Sequence, residues 1–277
     1  SMEVEAEIAE VLTEKGADVV SLPMSDGGDG MLEAFTKALG GTIEPVYVHN
    51  QMMRRVDAAF GMTADGTAIV EVAQACGLEL VKEDERNPMR ATTYGVGELL
   101  SRAVKRGCRN FIIGLGGSGT SDAGIGMLKA LVDIFAKGKT FDDAMKTELG
   151  ECRFTLACDV DNPLCGENGA ACVYAPQKGA TPQMVEQLDR RAKLFAEKSA
   201  LHYGYDRSCC PGAGAAGGLG YAFMQYLGAE MRSGADMLLS LCRFDDVAKD
   251  ADMIITGEGH ADRQTLMGKL PQKVLQR

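Results

Sequence analysis

"FIIGLGGSGTSDAG", residues 111–124, passes from an apolar run into a turn crowded with glycine, serine and aspartate. A short apolar run closed by such a turn reads as a buried strand, and residues 123–136 continue at helical spacing. Strand, glycine turn and helix in succession make the unit of an α/β fold. The texture recurs three times. Residues 17–24 lead into "SDGGDG" (25–30) and a helix marked by Leu32, Phe35 and Leu39. "FTLAC" (154–158) leads into "DVDNP", and "DMIIT" (252–256) leads into "GEGHAD".

Working outward, residues 3–15 read as an amphipathic helix, with Val4, Ile8, Val11 and Leu12 on one face and Gly16 as its stop. From Thr42 to Ala73 the pattern changes. Residues 43–49, 56–62 and 67–72 read as three strands joined by turns, an antiparallel meander that marks the start of a second domain. Val96, Leu99, Leu100 and Val104 form a helical stripe, and "ACVYA" (171–175) reads as another strand. Thr181-Pro182 opens a helix with Val185, Leu188 and Phe195 on its inner face. Residues 218–227 read as an apolar helix, and 265–277 as the start of one. The fold class is α/β with a mixed sheet in the middle of the chain. Both ends read as cut.

The 277 residues carry a net charge of −10 and no long basic stripe, which speaks against a nucleic-acid partner. No window is long and apolar enough to span a bilayer, so no membrane partner is expected. Nine scattered cysteines without a C-x-x-C suggest reduced thiols and a cytoplasmic location. An acidic surface repels an anionic substrate unless a local pocket supplies amides or cations.

The four turns carry the chemistry. Glycines let backbone N–H groups approach an oxyanion, and a following helix N-terminus favours negative charge. Carboxylates in the same turns would repel that anion unless a divalent cation bridges them, and magnesium prefers one or two carboxylates plus phosphate oxygens. "SDGGDG" therefore reads as part of a magnesium–phosphate site, although aspartate is also a common helix cap. "PGAGAAGGLG" (211–220) opens an apolar helix and reads as a backbone cradle for phosphates. "PQKGA" (176–180) places Lys178 in a tight turn. "GLGGSG" (114–119) and "GAGAAG" (212–217) formally match the dinucleotide fingerprint, which keeps an NAD-dependent dehydrogenase as an alternative. A non-catalytic anion-binding module is a second alternative.

Taken in order, "SDGGDG", "GLGGSGTSDAG", "ACDVDNPLCGENGA", "PQKGA", "PGAGAAGGLG" and "TGEGHADRQTLMGK" resemble the class I glycerate kinase family. The resemblance implies ATP- and Mg2+-dependent phosphorylation of D-glycerate. It also implies two unlike α/β domains. One is flavodoxin-like, built from residues 1–42 and 226–277 and incomplete here; the other, 43–225, is inserted and holds the mixed sheet. By resemblance and by the strand-end argument together, Asp159, Asp262 and Lys178 are the catalytic candidates. Gly116, Gly117, Ser118, Gly212, Gly214, Gly217 and Gly218 are the nucleotide-binding ones, and Asp26, Asp29 and Asp122 the metal-binding acids. A homo-oligomer is left open. Domain closure is expected to hinge near 40–45 and 225–232, where Gly40, Gly41 and Gly228 absorb rotation.

Overall fold

A computed structural model describes residues 2–22, 24, 28, 30–257 and 270–277. The helices are α1 (Met2–Glu14), α2 (Met31–Ala38), α3 (Ala73–Cys76), α4 (Tyr94–Lys105), α5 (Ile125–Phe135), α6 (Phe141–Ala144), α7 (Ala170–Tyr174), α8 (Pro182–Tyr203), α9 (Ala215–Tyr226), α10 (Gly234–Leu241), α11 (Phe244–Ala248) and α12 (Leu270–Gln276). The strands are β1 (Thr42–His49), β2 (Arg55–Met62), β3 (Thr67–Glu71), β4 (Asn110–Gly114), β5 (Arg153–Ala157) and β6 (Glu230–Arg232). They form one mixed sheet in the order β1-β2-β3-β4-β5-β6. β2 runs against β1 and β3, and β3 to β6 are parallel.

This order dictates where the helices go. Parallel crossovers are right-handed, so successive steps in one direction put every connecting helix on the same face. The larger core lies there. Ala68 and Val70 of β3, Phe111 and Ile113 of β4, and Phe154 and Leu156 of β5 pack with Leu99 and Leu100 of α4, Met127 of α5 and Phe223 of α9. Alternate residues face the other way, as the two-residue period of a strand requires. Ile69, Ile112 and Ala157 meet Met31, Leu32 and Phe35 of α2 and Leu238 of α10. One face is thus covered by the crossovers, and the other by helices from outside the β3–β6 run.

The meander 43–72, the strands at 111–115 and 154–158 and the long helix from Pro182 form as the sequence predicts. Thr181 caps α8 by accepting from the Met184 N–H at 3.3 Å, and Gly204 closes it with φ of 77°. Three expected strands are corrected. "ACVYA" forms α7, and its buried residues Ala171 and Ala175 fall one helical turn apart. Residues 17–22 and 252–257 are irregular, because no described strand pairs with them and a lone strand has no ladder to hold it. The helix expected over 265–277 is described from Leu270 onward. Among the described residues no helix is long and apolar enough to cross a membrane. All nine cysteines are free thiols.

Candidate active site

The site is built at the carboxyl edge of the parallel strands. Glu71, Gly114, Ala157 and Arg232 stand in one row across β3, β4, β5 and β6. With strands about 4.8 Å apart the row spans roughly 14 Å. The loops after it leave on the same edge, where open α/β sheets bind ligands.

The loop after β4 is fixed from both sides. The Leu78 N–H donates to the Gly117 carbonyl at 2.8 Å, and the Gly119 N–H donates to the Cys76 carbonyl at 2.6 Å. Between these anchors Gly117 is exposed with φ of 70°, and Gly116 is half-buried. Ser118 turns inward to Lys178, sixty positions away in the chain, whose Nζ donates to Ser118 Oγ at 3.0 Å and to the Thr120 carbonyl at 2.6 Å. Sequence reading thus singled out two residues that the fold brings together. The residue is 2% exposed, and burial pushes its pKa down to about 8. In this arrangement its ammonium braces the loop from inside.

The Asp122 carboxylate accepts from the Thr93 N–H and hydroxyl and from the N–H groups of Gly124 and Gly126, at 2.8–3.1 Å. Thr93 Oγ1 in turn accepts from the Met127 N–H. Asp122 therefore ties the starts of α4 and α5 together. Burial raises its pKa above the usual aspartate value, and the four donors oppose that shift.

The glycine stretch 211–218 is closely packed on its Cα side. A Cβ at Gly214 would lie 2.3 Å from the Pro163 carbonyl oxygen, and one at Gly217 would lie 2.0 Å from that of Thr120. Gly212 would meet Met231, and Gly218 would meet Ala123 and Leu164. The Gly214 N–H already donates to the Asn162 carbonyl. At Gly217 and Gly218 φ is 66° and 93°, the left-handed region that sets the kink before the rest of α9. These glycines let the start of α9 press against the loops after β4 and β5.

Asp159 lies in the loop after β5. It is exposed two residues past the end of β5, with Oδ2 accepting from the Ala235 N–H at 3.4 Å, at the start of α10. Asp26, Asp29 and Asp262 lie outside the described residues. Two charged residues of the edge were missed. Glu71 is 4% exposed and accepts from the Leu32 N–H of α2; its signal was a single acid at the end of an apolar strand. Arg232 ends β6, exposed, and "EMR" carried no signal because a three-residue polar strand has no apolar run.

Glycine-rich loops gathered with an exposed acid and an exposed arginine at the carboxyl edge of a parallel sheet define an α/β enzyme that handles anionic substrates. The chain belongs to the glycerate kinase family, whose profile matches residues 1–277. It is 41% identical over 272 residues to a glycerate kinase of Haemophilus influenzae, covering 92% of this chain and 72% of that one. It is 40% identical over 280 residues to a glycerate 2-kinase of Escherichia coli, covering 92% and 71%. A crystal structure assigned as glycerate kinase 2 of Salmonella typhimurium superposes with a TM-score of 0.81 at 36% identity, covering 99% of this chain and 78% of that one.

Proposed function

We propose that the protein transfers the γ-phosphoryl group of ATP to a hydroxyl of D-glycerate. The observation that carries this is the family match along all 277 residues, with 40–41% identity to glycerate kinases over most of the chain. In phosphoryl transfer the protein contributes positioning and electrostatics more than covalent chemistry. The exposed tip Gly116–Gly117 is the part of the edge free to offer amides to phosphate oxygens: neither N–H donates to a described residue. Ser118 and Lys178 hold that tip in place. Arg232, paired with Glu230 at 3.1 Å, adds an exposed cation at the end of β6.

Magnesium fits a site with one or two carboxylates whose remaining ligands are nucleotide phosphates and water. No cluster of three or more potential ligands occurs among the described residues, so nucleotide-borne oxygens would complete the shell. Asp159 would hold the ion, which when bound neutralises phosphate charge; Asp262, Asp26 and Asp29 remain the other proposed acids. Asp159 alternatively orients the acceptor hydroxyl.

The same reading places residues 1–42 and 226–277 in a flavodoxin-like domain and 43–225 in an insertion, with β6 extending the insertion's sheet. The test is an assay with ATP, D-glycerate and titrated magnesium. Phosphoglycerate should form only with the metal present, and Asp159→Asn should cut turnover about a hundredfold or more while melting as wild type. Full turnover in excess chelator refutes the metal requirement.

A further inference from the structure

A recess of about 40 Å³ opens beside the loop after β4. Met89 and Ala91 from the segment before α4, Ser121 and Ile125 around the start of α5, and Leu188 and Arg191 of α8 form its wall. Most of that wall is apolar, and two groups depart from it. Ser121 is 8% exposed, and its hydroxyl has no hydrogen-bond partner among the described residues. A buried hydroxyl left so is costly, and a ligand able to pair with it recovers that cost. Arg191 is exposed and forms no ion pair among the described residues. Asp122 also lines the recess, but its oxygens are held by the four donors of Thr93, Gly124 and Gly126.

Size narrows the occupant. The volume admits roughly three water-sized atoms, since each needs about 10–15 Å³. That is the size of a carboxylate group. A phosphate group is larger, and a nucleotide far larger. A guanidinium fork matches a planar carboxylate with two parallel hydrogen bonds, and a serine hydroxyl can supply a third.

We propose that this recess is a carboxylate subsite, in which Arg191 and Ser121 hold the acid group of a small hydroxy acid. Identifying that acid as D-glycerate rests on the kinase reading above. The subsite would hold the acceptor by the end that does not react, leaving its hydroxyls toward the carboxyl edge.

Calorimetric titration of D-glycerate into the whole protein tests it, with glycerol and inorganic phosphate as comparison probes. D-Glycerate should bind; glycerol, without the acid group, should not, and any phosphate binding should be unchanged in Arg191→Met. Arg191→Met should weaken D-glycerate binding about tenfold or more, as expected for losing charge-assisted hydrogen bonds. Ser121→Ala should weaken it about three- to tenfold, and the KM for ATP should stay within about twofold in both. Wild-type D-glycerate affinity in both folded variants overturns the subsite, as does failure of the wild-type protein to bind D-glycerate. If Ser121→Ala does not fold, Arg191→Met decides alone, because its side chain is on the surface. If binding is present and lost in the variants but no phosphoryl transfer occurs, the subsite stands and the kinase reading falls.

Discussion

The spacing of Lys178 in "PQKGA" marked a lysine held in a tight turn, and the fold turns its ammonium inward to donate to Ser118 and Thr120. Replacing it with methionine removes the donor and leaves the Thr120 carbonyl and Ser118 hydroxyl without it. The expected cost is about 1–3 kcal/mol in stability, with turnover falling as the loop loosens. The pH dependence has a definite sign. Burial depresses the folded-state constant to about 8, below the usual lysine value near 10.5. Between those values the unfolded chain holds a proton that the folded one has released, so this group's contribution to stability rises with pH. Melting curves should therefore show the gap between wild type and Lys178→Met widening from pH 7.5 to pH 10. A gap that narrows or stays flat would mean that the ammonium is not desolvated.

At the scale of elements, the kink that opens α9 separates two accounts of the glycine stretch. A phosphate cradle predicts that a side chain there abolishes ATP binding and leaves the melting temperature alone. The packing described above predicts that stability falls first. Gly217→Ala forces a Cβ into the Thr120 carbonyl at a φ of 66°, and the Gly217 carbonyl also accepts from the Ala123 N–H. The expected loss is about 2–4 kcal/mol, read by denaturant titration, with kcat/KM falling alongside it. What the sequence made legible follows the same division. Apolar runs closed by turns located β1 to β5, and Thr181-Pro182 located the start of α8. "ACVYA" was misread because five apolar residues suit a buried strand and a short helix equally. Residues 17–22 and 252–257 have strand composition, yet a strand exists only where a partner accepts its hydrogen bonds. β6 was invisible because its three residues join by backbone alone. In the site, glycines and acids were legible as residue types. Which of them face outward depends on contacts between loops far apart in sequence, and no local spacing encodes those.

For the whole molecule, the proposed groups come from both chain ends and from the middle: Asp26 and Asp262 from the ends, Asp159 and Arg191 from the sheet-bearing part. Phosphoryl transfer to a small alcohol must exclude water, which would otherwise take the phosphoryl group. The expected outcome is a more open molecule without ligands and a closed one with an ATP analogue and D-glycerate, turning near 40–41 and 227–229, since 42–45 pair in β1 and 230–232 in β6. Gly40 and Gly228 there have φ of 64° and 62°, with open space around each. Small-angle scattering of the protein with and without both ligands measures this. An unchanged radius of gyration at saturation would mean a preformed, rigid cleft.

The strand order bears on how the chain is made. Because β1 to β6 lie side by side in the order in which they are translated, each strand can dock on a neighbour that has already left the ribosome. Among the described strands, none waits for a later one to be inserted beside it. Once residue 157 has emerged, five of the six strands and the start of the larger core are available, while α10, which with α2 covers the opposite face, is still unmade. A nascent chain of that length would be a half-roofed sheet, with Ile69 and Ile112 only partly covered on one side. That interval, rather than any mispairing of strands, is where a chaperone would find this protein.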